Sequence, residues 1–172
     1  MQTFKENYRN IISNNDGRCI VKHLRLRNKE EYRKMLQILV DYVDTIQITV
    51  TGDEDFTEQS LYQAFDDDLI KVVQTKKWPG TIRSGPGAMS YFYPYNTKMA
   101  NFLKKYNSFY KQYRENGVSF FGYALDGIEA DMAFLNEKEI VFYTIAHENE
   151  MRIYSESLAR FLKGEGYIVK KY

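Results

Sequence analysis

The feature that most constrains the fold is a pair of apolar runs late in the chain. Glu129-Ala-Asp-Met-Ala-Phe-Leu135 and Ile140-Val-Phe-Tyr-Thr-Ile-Ala-His-Glu148 are separated only by the polar stretch Asn136-Glu-Lys-Glu139. Aromatic and β-branched residues suit a pleated, half-buried surface, and so short a connector joins antiparallel neighbours. The segment is therefore expected to be a hairpin within a sheet that buries one face. It also brings together Asp131, His147 and Glu148, an imidazole near carboxylates.

The remaining segments supply partners for that sheet. Phe4, Tyr8, Ile11 and Ile12 recur at helical spacing before the turn residues Asn14-Asn-Asp-Gly17. Cys19 to Leu26 is compatible with a strand. Asn28 followed by Glu31 has the form of a helix cap, and Tyr32, Met35, Leu36, Leu39, Val40 and Val43 then share one helical face. Thr45-Ile-Gln-Ile-Thr-Val-Thr51 is a β-branched strand ended by Gly52. This strand, helix, strand order favours a parallel crossover, with an antiparallel arrangement left open by the pattern.

Beyond it, Thr57 is expected to cap a short helix through Phe65, and 69–75 reads as a strand. Trp78-Pro-Gly-Thr81 and Ser84-Gly-Pro-Gly87 form a turn-rich loop, and 88–93 resumes β structure. Thr97 is expected to cap the longest helix, with Met99, Phe102, Leu103, Tyr106, Tyr110 and Tyr113 as its buried stripe before Asn116-Gly117. From Val118 a meander is expected through 118–124, 129–135 and 140–147. A short helix with Leu158, Phe161 and Leu162 ends at Gly164, and Tyr167-Ile-Val169 makes an edge strand blunted by Lys170 and Lys171. The expected class is α+β: one domain over 1–172, a mixed or mostly antiparallel sheet with helices packed against it, and a C-terminal β-meander.

Composition narrows the function. Aromatic residues make up 16% of the chain, with 15 Tyr and 11 Phe, which argues for a packed core and for rings at a recognition surface. Charge balances at 24 basic against 23 acidic side chains, without the basic excess of a nucleic-acid binder. Locally it is uneven: Asp53, Glu54, Asp55, Glu58, Asp66, Asp67 and Asp68 crowd one segment, while Lys and Arg dominate 18–34 and 98–114. Cys19 is the single cysteine, so no intramolecular disulfide and no cysteine-based zinc site can form. No apolar run is long enough to cross a bilayer, and residues 1–17 lack the apolar core of a leader. The expectation is a soluble, cytoplasmic protein that does not engage a membrane.

Three candidate sites follow. His147 with Asp131 or Glu148 has the chemistry of a base and its orienting carboxylate, as a hydrolase or lyase would use. No serine or cysteine elbow accompanies it, and His23 is the only other imidazole, without metal-ligand spacing, so no metal is expected. Gly80-Thr-Ile-Arg-Ser-Gly-Pro-Gly87 has glycines and an arginine but lacks the Gly-Lys-Ser/Thr ending of a phosphate cradle. It is better read as a rigid surface loop anchored by Trp78, and no cofactor is implied. The third is Asp53, Glu54, Asp55, Asp66, Asp67 and Asp68, with Trp78 beside them as a partner contact. These carboxylates lack the spacing of a calcium loop, but an anionic surface steers onto a basic protein and fills its cationic cleft.

Trp78-Pro-Gly-Thr81, Asp131-Met-Ala-Phe-Leu135 and Ile145-Ala-His-Glu148 together resemble small bacterial proteins that carry a W-P-G-T loop and a C-terminal hairpin ending in H-E. The resemblance spans roughly residues 70–155, with Glu129-Ala-Asp-Met132 where those proteins carry Pro-Glu-Asp-Leu. Such proteins are similar in size to immunity proteins of bacterial toxin systems, and the resemblance implies no catalytic residue. The expected function is that of a non-enzymatic immunity-type protein that neutralises a cognate toxin. The alternatives are the His147 hydrolase or lyase and a small-ligand-sensing or structural module.

Overall fold

Strand β2 (Thr45–Val50) lies deep inside an eight-stranded sheet because it is apolar on one face and small and polar on the other. The computed structural model describes residues 21–115, 118–122 and 128–171, with the backbone alone for 111–115 and 118–122. Within them the chain forms, in order, β1 (Lys22–Arg25), α1 (Lys29–Leu39), β2, α2 (Ser60–Phe65), β3 (Lys71–Thr75), β4 (Lys77–Trp78), β5 (Thr81–Ile82) and β6 (Ala88–Pro94). There follow α3 (Thr97–Leu103), β7 (Lys111–Glu115), β8 (Val118–Gly122), β9 (Ala130–Asn136), β10 (Glu139–Ile145), β11 (Glu150–Ile153), α4 (Glu156–Gly164) and β12 (Ile168–Lys171). The sheet order is β12-β1-β11-β10-β9-β2-β6-β3, with every ladder antiparallel, and β4-β5 and β7-β8 are separate two-stranded ribbons. The fold is α+β, a largely antiparallel sheet with helices packed against it.

Alternation divides the sheet into two unlike faces. Ile46 and Ile48 of β2 stand level with Phe134 and Met132 of β9 and with Tyr93 and Tyr91 of β6. Onto this face pack Tyr32, Met35, Leu36 and Leu39 of α1, Leu61 and Phe65 of α2, Met99 and Leu103 of α3, and Leu158 and Leu162 of α4. The four helices among the described residues thus cover one side, and each fully buried Leu or Met contributes about 1.5 to 3 kcal/mol relative to exposure. Edge-to-face rings knit the layer: Phe109 meets Tyr32 at 4.9 Å and Phe134 at 5.8 Å between centroids. The opposite face carries Gln47, Thr49, Ser90 and Asp131 beside a smaller apolar cluster of Ala133, Leu135, Tyr143 and Ile145.

Several expectations hold. Asn28 Oδ1 accepts the Glu31 N–H at 2.9 Å. The Glu31 carboxylate reaches back to the Arg27 N–H at 2.7 Å and to the Arg27 guanidinium, a capping box displaced by one residue. The hairpin β9-β10 forms as its pattern demands, extended by β11 into a three-stranded meander, and β12 is an edge strand.

Others are corrected. β1 and β2 run in the same direction but have β11, β10 and β9 between them, so no adjacent parallel crossover exists. Asp55 caps the region instead of Thr57: its Oδ1 accepts the Thr57 N–H at 2.9 Å over a 3₁₀ turn, Phe56–Glu58, before α2 begins. α3 is capped by Asn96 and stops at Leu103, making α1 the longest helix among the described residues. Ser108 ends that segment locally, donating to the Tyr110 carbonyl at 2.6 Å, and Tyr113 lies in a strand. Strand β8 pairs with β7, so the meander starts at β9 and not at 118. The proposed first helix and Cys19 lie outside the described residues.

Candidate functional site

Asp131 sits on β9 directly opposite Thr49 of β2, on the face that carries no helix among the described residues, and only 3% of it is exposed. A buried carboxylate needs donors at both oxygens. Trp78 supplies one, its indole N–H reaching Oδ2 at 2.8 Å, and the backbone N–H of Ala146 supplies the other, reaching Oδ1 at 2.7 Å. Burial pushes the Asp131 carboxyl above its ordinary value of 3.8, while the Trp78 and Ala146 donors and then His147 pull it back.

The same bond fixes the ribbon β4-β5 over the sheet. Gly80, at its turn, has φ +82°, and a Cβ there would lie 2.6 Å from both the Ile145 Cδ1 and the Tyr143 ring. No other residue fits a left-handed turn pressed so closely on two side chains. At the ribbon's far end Arg83 donates to the Thr51 carbonyl at 3.0 Å. Trp78 is therefore the inward anchor of a cover, not a ring presented at the surface. Beside it, Gln47 Nε2 donates to the hydroxyls of Thr49 (3.2 Å) and Ser90 (3.1 Å), which are 2.7 Å from each other.

His147 is placed differently. β10 ends at Ile145, and Ala146–Glu148 makes a 3₁₀ turn closed by Asn149, whose φ of +56° is one that asparagine tolerates. The turn leaves His147 and Glu148 exposed, with His147 Nε2 3.9 Å from Glu148 Oε1. Glu148 is shared with Arg152 at 3.5 Å, and Arg152 also pairs with Glu150 and donates to the Tyr143 hydroxyl at 3.5 Å. Asp131 thus spends both oxygens on structure while His147 faces solvent. Among the described residues no three of His, Cys, Asp and Glu gather to hold a metal ion.

The acidic residues all lie on the excursion that leaves β2 and returns as β3. Asp53, Glu54, Asp55, Asp66, Asp67 and Asp68 are each exposed. Asp55 accepts from the Thr57 N–H and hydroxyl, which holds its carboxyl below the ordinary range. Asp66 accepts the Asp67 N–H at 2.9 Å, and Asp68 pairs with Lys98 at 2.8 Å. Exposed ion pairs of this kind contribute little to stability, so the carboxylates are available to a partner. Their closeness to Tyr91 and Tyr93, whose hydroxyls burial and then neighbouring Tyr and Asp side chains push up, places the excursion over the aromatic end of the helical layer.

A cleft of about 880 Å³ lies apart from these residues, between β1, the start of α1 and residues 107–110. Arg25, Lys29, Tyr110 and Asn149 line it, without a nucleophile set beside a base. Pattern reasoning reads Trp78 as an anchor but misses its partner Asp131, as it misses the Gln47-Thr49-Ser90 cluster and Arg152. The signal for the cluster was the alternation of Thr45, Gln47 and Thr49 with apolar residues along β2. No family model, curated protein or solved structure matches this chain. Among the described residues no helix is long and apolar enough to cross a membrane.

Proposed function

We propose that this is a non-enzymatic binding protein of the immunity type, which neutralises a cognate basic protein by surface complementarity. The carrying observation is that Asp53, Glu54, Asp55, Asp66, Asp67 and Asp68 all stand exposed on one excursion between β2 and β3, while Asp131 is consumed internally. A dense anionic surface on a rigid frame raises the encounter rate with a cationic cleft and opposes acidic partners. Trp78 serves this reading indirectly, by locking the ribbon β4-β5 to the sheet. The proposal requires no cofactor and places the protein in the cytoplasm beside its partner.

The test is capture from native lysate with tagged wild type and a variant carrying Asp53→Lys, Asp55→Lys, Asp66→Lys and Asp67→Lys. A basic protein retained by wild type, weakened by moderate salt and lost by the variant is the expected outcome. Retention that is indifferent to both salt and charge reversal would overturn the assignment.

A further inference from the structure

The two edges of the main sheet are treated differently. At β12 the outer strand carries Lys170 and Lys171, the usual chemical guard against edge-to-edge pairing. At β3 the guard is thinner: Lys71 is its one charged residue, with its ammonium over the Phe92 ring, the strand is exposed for nearly its whole length, and Ile70, Val72 and Val73 show 54%, 40% and 39% of their surface. Met89, on the neighbouring strand β6 and level with Gln74 of β3, is also exposed. Among the described residues no strand pairs with the outer side of β3. Open backbone groups flanked by apolar side chains form a template for another strand.

The charges around β3 indicate which strand. The chain enters it from Asp66-Asp-Asp68 and leaves it through Lys76-Lys77, all exposed. Asp55 lies next to Phe56, whose ring meets Tyr91 of β6 at 4.5 Å between centroids. A β3 laid antiparallel against a second β3 brings the acidic entry of each copy to the basic exit of the other, and Val72 near the middle meets its own counterpart. Such a patch is complementary to itself, the requirement for a two-fold interface. We infer that β3 pairs antiparallel with β3 of a second copy of this chain, joining two eight-stranded sheets into one. The inference does not rest on the proposed function, although it engages Asp66, Asp67 and Asp68, three of the carboxylates that reading assigns to the basic partner.

Equilibrium sedimentation of the full chain over roughly 1 to 300 μM tests it, because a contact of one short strand is weak. Wild type is expected to pass from one chain to two with rising concentration. Val72→Lys sets two ammonium groups against each other at the centre and should keep the protein a monomer, while Ile82→Lys, a control at the 79%-exposed residue of the separate ribbon β4-β5, should leave association unchanged. Lys77→Glu should weaken the dimer at least tenfold, and adding Asp67→Lys should restore it. A wild type that is monomeric throughout, a dimer untouched by Val72→Lys, or a charge swap that does not restore association would each overturn the inference.

Discussion

Replacing Trp78 by Phe isolates the bond that ties the ribbon β4-β5 to the sheet. The substitution keeps an aromatic ring but removes the indole N–H that reaches Asp131 Oδ2 at 2.8 Å, leaving a carboxylate oxygen buried without that donor. A hydrogen bond to a charged group contributes about 1.5 to 3 kcal/mol. The smaller ring forfeits about 1 kcal/mol more of apolar burial. The expected loss near neutral pH is therefore about 2.5 to 4 kcal/mol, a fall in Tm of about 5 to 15 °C for a chain of this size. The pH dependence separates the two parts. Because the folded Asp131 carboxyl holds its proton more tightly than the unfolded one, this residue lowers stability as pH rises through its raised folded value, and the loss is relieved below the ordinary 3.8. Without the indole donor the folded value rises further, so the variant carries its largest penalty above that window. In urea unfolding near pH 7 and again below the ordinary 3.8, the hydrogen-bond part should shrink toward about 1 kcal/mol at the lower pH, the value of a neutral bond. Equal penalties at the two pH values would refute the reasoning.

Two further outcomes follow from the packing. Gly80→Ala should cost about 2 to 4 kcal/mol in thermal unfolding, since it combines a left-handed backbone with a Cβ 2.6 Å from Tyr143 and Ile145. Tyr93 buries a hydroxyl with no hydrogen-bond partner among the described residues, whereas the Tyr32 hydroxyl donates to the Leu103 carbonyl at 2.9 Å. Tyr93→Phe should therefore be neutral or stabilising, and Tyr32→Phe should lose about 1 kcal/mol in urea unfolding.

Local chemistry was legible and long-range pairing was not. Asn28, the hairpin turn at 136–139 and the stripe of α1 depend on neighbours within a few residues, and each appears where its pattern puts it. The overlong helix from Thr97 arose because Met99, Leu103, Tyr106 and Tyr110 keep helical spacing, yet Ser108 bonds its own backbone and Phe109, off that stripe, is the ring that enters the core. Neighbours in the sheet were likewise undetermined, because alternation fixes which face a residue takes but not which strand lies beside it. The candidate site shows the same division. Asp131, His147 and Glu148 do fall on one hairpin, but only the fold reveals that Trp78, fifty-three residues earlier, occupies the carboxylate that His147 would need.

The sheet order also sets a schedule. β1, from the first part of the chain, is wedged between β11 and β12, which belong to the last. As the chain emerges from the ribosome, β2, β3 and β6 can meet early, whereas β1 must wait for almost the entire remaining polypeptide before it finds either neighbour. The nascent protein therefore carries an orphaned strand until β11 and β12 have been made. Removing β11 and β12 would take away both ladders that β1 makes among the described residues, so a loss late in the chain reaches back to unseat an early strand.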